Sequence, residues 1–177
     1  MNKKYYDKNI GLSAMFIAIG LVLPFFTGQI QNIGNMLLPM HIPVFICGLV
    51  CGWKYGAIVG FVLPLMRSVI FGMPVLFPSA TSMAFELMTY GLIVGLVYGL
   101  SRKKNIVMLY VSLIVAMLTG RMVWGLAQII LLGIAGSRFT VQMFMAGAFL
   151  NAIPGIVLQL ILIPAIMARL KLTKIKG

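Results

Sequence analysis

Acidic side chains are almost missing from this chain: Asp7 and Glu86 are the only two among 177 residues. An enzyme working inside a bilayer shows several acids, a Ser/His pair or a metal constellation, so a catalytic reading has little to rest on. Histidine is scarcer still, with His41 alone, and the two cysteines, Cys47 and Cys51, lie four apart in an apolar run. These three cannot assemble a four-ligand metal site, and the cysteines read as packed thiols. A disulfide between them is disfavoured within one helix. No phosphate loop of the G-x-x-x-x-G-K-S/T form occurs, so any ATP must be bound by another chain, and no cofactor is expected. Only 9% of the residues are charged against 62% hydrophobic ones, too little polar surface to cover a water-soluble globule. The apolar/polar alternation of a membrane β-barrel is missing as well.

What the chain does have is a succession of apolar runs, at about 9–27, 38–53, 56–72, 80–100, 106–133 and 141–168. Most approach the roughly 17–25 residues that a hydrocarbon core of about 30 Å asks of a helix. The expected fold is therefore an all-α integral membrane protein, a bundle of six transmembrane helices. The second and third runs are short and separated only by Trp53, Lys54 and Tyr55, which predicts a tight helical hairpin or a locally irregular pair. The first run lacks a small-residue cleavage site and reads as a retained helix, not a signal.

A net charge of +12 raises the question of nucleic acid, but the basic residues fall in short clusters between apolar runs and form no interleaved face. Membrane topology accounts for them. Lys3, Lys4 and Lys8, then Lys54, then Arg102, Lys103 and Lys104, then Arg169, Lys171, Lys174 and Lys176 occupy one set of alternate flanks, and only Arg138 lies on the other. Cytoplasmic loops carry the excess of Lys and Arg, so both termini are expected in the cytoplasm. The outward segments are then about 28–37, 73–79 and 134–140. The first holds Gln29, Gln31, Asn32 and Asn35; the second is apolar and stiffened by Pro74 and Pro78.

Small residues recur every four positions: Gly48, Gly52, Gly56 and Gly60 across runs two and three, and Gly91, Gly95 and Gly99 in run four. In lipid such faces let helix backbones approach closely, and Lys54 and Tyr55 imply that the first series is split between two helices. Ala14 and Ala18 form a similar pair in run one, compatible with interior packing or with a partner's docking face.

Ionisable groups at membrane depth are costly, by about 2.5–3.5 kcal/mol on insertion scales, and mark functional sites by default. Four qualify: His41, Arg67, Glu86 and Arg121. From the topology and the helical rise, Arg67 lies roughly 16 Å and Arg121 roughly 22 Å from the cytoplasmic ends of their spans, and Glu86 about 9 Å below the outer end of its own. With His41 near an outer end, all four fall between the midplane and the outer face. Tyr90 shares a helix face with Glu86, Trp124 and Gln128 share one with Arg121, and Asn151 adds a donor and acceptor at mid-depth. Aromatic surface with a few placed polar groups suits a small-molecule pocket. Either arginine can serve as the partner of Glu86, and the excess of one leans toward an anionic ligand.

Size, six spans, the Ala14-x-x-x-Ala18 pair and the stretch from Leu38-Pro39-Met40-His41-Ile42-Pro43 through Gly60 to Pro64-Leu65-Met66-Arg67 together resemble the S components of energy-coupling factor (ECF) transporters. The resemblance covers nearly the whole chain. It implies one transmembrane substrate-binding domain over residues 1–177, in a multi-pass protein of the bacterial plasma membrane. It also implies capture of a vitamin or related micronutrient near the outer face, behind loops 28–38 and 72–79. Pantothenate and a cobalamin precursor such as α-ribazole are among the candidates. Delivery would run through a transmembrane coupling subunit, docked on Ala14 and Ala18, and two ATPase subunits. The S components' substrate contacts differ widely, so His41, Arg67, Glu86, Tyr90, Arg121, Trp124, Gln128 and Asn151 stand as site candidates on the residues alone. The competing reading is a solitary secondary transporter coupled to protons through Glu86 and His41; inverted repeats would favour it, and none is evident.

Overall fold

Stretches dense in Leu, Ile, Val, Met and Ala, in a medium that cannot hydrogen-bond to the backbone, fold as helices because a helix satisfies its own N–H and C=O groups. The computed structural model describes residues 3–27, 39–102, 104–136, 140–148 and 152–175, and every regular element among them is helical. In chain order these are α1 (Lys3–Val22), a 3-10 turn (Leu23–Thr27), α2 (His41–Cys51), α3 (Trp53–Phe71), a π-type turn (Leu76–Ala80), α4 (Thr81–Leu100), α5 (Ile106–Ile134), α6 (Val141–Ala148) and α7 (Ile153–Ile175).

Among the described residues, five segments are long and apolar enough to cross a membrane: Asp7–Phe25, Trp53–Phe71, Leu76–Leu100, Ile106–Ile134 and Ile153–Leu170. The run expected at 38–53 is the helix α2, only 11 residues long. At 1.5 Å per residue it rises about 16 Å, short of a full crossing. Its break from α3 falls one residue earlier than the sequence suggested. Gly52 alone, at φ 94° and ψ 170°, ends α2, and Trp53, Lys54 and Tyr55 form the first turn of α3. A side chain is strained at that φ, which is why glycine stands there. In the last apolar run the described residues form two elements, α6 and α7, on either side of residues 149–151, which lie outside the described residues. Pro154 sits in the first turn of α7, where a missing N–H costs nothing because no intrahelical acceptor is available.

Other boundaries follow from identifiable residues. Gly72 takes the left-handed conformation (φ 70°) and donates its N–H to the Ser68 carbonyl at 2.9 Å, closing α3 as glycine C-caps do. Asn105 opens α5, its Oδ1 accepting from the Met108 N–H at 2.9 Å, which satisfies one orphan donor of the first turn.

The helices α3, α4 and α5 pack side by side, with α2 against α3 and α4, and α1 against α2 and α3. The glycine series explain how closely. A Cβ on Gly48 would lie 2.6 Å from the Gly91 carbonyl oxygen, and one on Gly56 2.7 Å from the same atom. On Gly60 or Gly91 it would overlap the backbone of Leu87 or Gly56. Backbone therefore touches backbone where α2, α3 and α4 meet, the arrangement that small residues permit in lipid. Around this contact Phe45, Val59, Leu63, Leu87, Tyr90, Val94 and Leu113 form a buried core. The outer face of α5 is the converse: Met122, Leu126, Ile129 and Ile130 are all more than half exposed. A row of large apolar side chains on the outside is what acyl chains, not water, would cover.

The face of α1 carrying Ala14 and Ala18 is exposed, together with Met15, Ile19 and Val22, whereas Asn9, Phe16 and Gly20 turn inward. Loop 28–38 lies outside the described residues. Segment 72–79 runs from Gly72 into the π-type turn, with the chain extended at Phe77 (φ −123°, ψ 130°).

Candidate functional site

A carboxylate in a low-dielectric interior needs hydrogen-bond donors and a counter-charge close by. Glu86, in the second turn of α4 and 2% exposed, has both. Its Oε1 accepts from Tyr90 Oη at 2.7 Å and lies 3.0 Å from Arg121 Nη1 of α5. Tyr90 is one turn further along α4, the spacing that stacks side chains on one face. Gly120 of α5 lets the Tyr90 ring press against the α5 backbone, where a Cβ would clash with it. The absence of a side chain at residue 120 thus sets the ring that holds the carboxylate, and the next residue supplies the cation.

His41, at the start of α2 and fully buried, brings Nε2 to 3.9 Å from the same Oε1. Its ring lies 5.4 Å from that of Tyr90, and Phe45, one turn further along α2, stacks on the Tyr90 ring with centroids 4.9 Å apart. Three helices, α2, α4 and α5, thus contribute His41, Glu86 with Tyr90, and Arg121 to one buried cluster.

The guanidinium of Arg121 is only partly engaged. The residue is 6% exposed, its Nη1 faces Glu86, and its Nε and Nη2 are buried with no hydrogen-bond partner among the described residues. Further along the same face of α5, Trp124 stacks with Phe144 of α6 at 6.3 Å, packed closely against Gly147. Gln128 donates from Nε2 to Ser82 Oγ at 3.2 Å, and Ser82 in turn donates to the Ser79 carbonyl at 2.9 Å. The buried Gln128 Oε1 has no partner among the described residues.

Arg67 stands apart from this cluster. Its Nη1 donates to the Leu21 carbonyl at 2.9 Å, near the C-terminal end of α1, where the helix presents carbonyls that lack intrahelical partners. The guanidinium also lies over the rings of Phe25 and Phe71, at 5.5 and 5.6 Å, a geometry that favours a cation. The arginine partner of Glu86 is therefore Arg121, and Arg67 fastens the end of α1 to the end of α3. Asn151 lies outside the described residues.

Sequence reasoning did not single out Ser82, Phe45, Phe144 or Gly120. Ser82 had a readable signal, since it precedes Glu86 by four and shares its face. The aromatic neighbours had none, because which ring meets which depends on helix rotation. Cys47 and Cys51 are buried free thiols, and the described residues include no group of three or more His, Cys, Asp or Glu able to hold a metal ion.

No curated protein and no solved structure matches the chain. The family model for the substrate-specific component of ECF transporters does, over residues 8–167. That span runs from the second turn of α1 through most of α7 and takes in every member of the buried cluster. The chain is a multi-pass helical membrane protein of a substrate-binding transport family, and it belongs to the ECF transporter substrate-specific components.

Proposed function

We propose that this protein is the substrate-capturing subunit of an ECF-type importer, binding a water-soluble vitamin or micronutrient precursor outside the cell and passing it to an ATP-driven coupling module. The observation that carries the reading is the convergence of His41, Glu86 and Arg121 from three helices on one point, in a chain of this family. A buried ion pair is a poor way to stabilise a fold, and functional groups are the usual reason for ionisable residues at membrane depth.

In this reading residues 1–177 form one transmembrane domain of six spans in the bacterial plasma membrane, α2 being the short one. Both termini are cytoplasmic, in keeping with the distribution of Lys and Arg. Substrate is held by His41, Tyr90, Arg121, Trp124 and Gln128, Glu86 orienting the Arg121 guanidinium through their contact at 3.0 Å, with Arg67 and Asn151 as further contacts for a binding assay to test. Segment 72–79 closes over it. The exposed Ala14/Ala18 face of α1 docks the transmembrane coupling subunit, and two further subunits hydrolyse ATP.

The test is uptake of radiolabelled pantothenate and α-ribazole by cells expressing this chain with and without the coupling subunit and the two ATPases. Uptake of either compound should require all three partners. Ala14→Trp and Ala18→Trp should cut uptake about tenfold or more while leaving binding to the purified protein intact, because a bulky residue separates surfaces that pack through small ones. Uptake by this chain alone that collapses with a protonophore contradicts the proposal. That outcome establishes the proton-coupled alternative, for which the buried His41–Glu86 approach at 3.9 Å would be the relay.

A further inference from the structure

Granted the substrate capture proposed above, we propose that the captured compound carries a carboxylate or phosphate group, and that this oxyanion sits on the Nε–Nη2 edge of Arg121.

A guanidinium offers five N–H donors in a rigid plane, and its Nε–H and one Nη2–H point the same way, as a fork. In Arg121 the Glu86 carboxylate takes Nη1, at 3.0 Å. The fork remains, buried in a residue that is 6% exposed and without a hydrogen-bond partner among the described residues. Unmade hydrogen bonds of a buried cation are costly, more so than those of a neutral group. Two parallel charged donors match the two oxygens of a carboxylate or phosphate, whereas a lone carbonyl satisfies one of them.

The count of arginines that pointed toward an anion in the sequence does not survive, since Arg67 is engaged at Leu21 and against the rings of Phe25 and Phe71. Arg121 and Glu86 are a neutral pair. The preference for an anion comes instead from which edge of the guanidinium is left over. Glu86 then has a defined part: it and Tyr90 fix the plane of Arg121, while its charge opposes the incoming oxyanion across the guanidinium. Glutamine at residue 86 keeps the shape and the acceptor oxygen and removes that opposition.

The experiment is mass spectrometry of the compounds released on denaturing the purified protein, in wild type, Arg121→Lys and Glu86→Gln, each normalised to folded protein by its melting transition in detergent. Lysine keeps the positive charge and loses the fork. The expected result is one water-soluble acid from wild type, at least about tenfold less of it from Arg121→Lys, and an equal or larger amount from Glu86→Gln. A cationic ligand held by Glu86 gives the opposite sign, with loss in Glu86→Gln, and overturns the proposal. A neutral compound, or a phospholipid in place of a water-soluble acid, also overturns it; the neutral compound leaves substrate capture standing. Absence of any released compound in all three proteins overturns both this inference and the capture reading on which it rests.

Discussion

Arg121→Ala should lower folding stability by about 3–5 kcal/mol, the penalty for removing one partner of a buried ion pair. The cost arises less from the lost attraction than from what is left behind. Glu86 is 2% exposed, and without the guanidinium its carboxylate keeps the Tyr90 hydroxyl as a donor but loses the cation 3.0 Å away. A charge in that position must find water or a proton. The double variant Arg121→Ala/Glu86→Gln removes the stranded charge as well, so it should recover most of the loss. Chemical or thermal unfolding in detergent, followed by helical circular dichroism, measures both. Equal destabilisation of single and double variants would show that packing, not charge, dominates at this point.

A comparable loss should follow from bulk at the α3–α4 contact. Gly60→Val and Gly91→Val each put a branched side chain where even a single Cβ meets backbone, at Leu87 or Gly56. Overpacking an ordinary core costs about 1–3 kcal/mol because side chains yield. Two helix backbones cannot yield in that way without separating, so the upper end of that range or beyond is expected. Separation of α3 from α4 would also move Glu86, which rides on α4 directly beside Leu87. Gly99→Val, on the same helix and in the same four-residue series, has nothing within 4 Å of its Cβ and should change the melting transition little. The comparison of Gly91 with Gly99 isolates helix contact from helix propensity, since valine ranks above glycine as a helix former and propensity alone would not destabilise either variant.

Much of the fold was legible because hydropathy reports length along a helix axis. Runs at 80–100 and 106–133 correspond to Thr81–Leu100 and Ile106–Ile134 almost residue for residue. The split of the glycine series between two helices was readable from Lys54 and Tyr55, although the break itself falls at Gly52. That the described residues of 141–168 form two elements, α6 and α7, was not readable, since the run stays apolar throughout and Pro154 alone does not say whether a helix kinks or starts afresh.

For the site, depth was legible and direction was not. The helical rise placed His41, Arg67, Glu86 and Arg121 at comparable depth, and three of them do meet. Which arginine meets Glu86 depends on the rotation of each helix about its axis, and that is fixed by contacts far apart in sequence: Gly60 against Leu87, Gly120 against Tyr90. Arg67 finds its partners on α1 and the turn after it, at Leu21 and Phe25, residues whose apolar character gave no sign that they would receive a cation.

The central claim is that the cluster around Arg121 holds a small molecule. Its most direct test compares the compounds released from wild type with those from the Arg121→Ala/Glu86→Gln protein, which lacks the guanidinium without stranding a charge. At equal amounts of folded protein, mass spectrometry should find one dominant small compound in the wild type and none in the double variant. The same compound at the same stoichiometry in both would contradict the account.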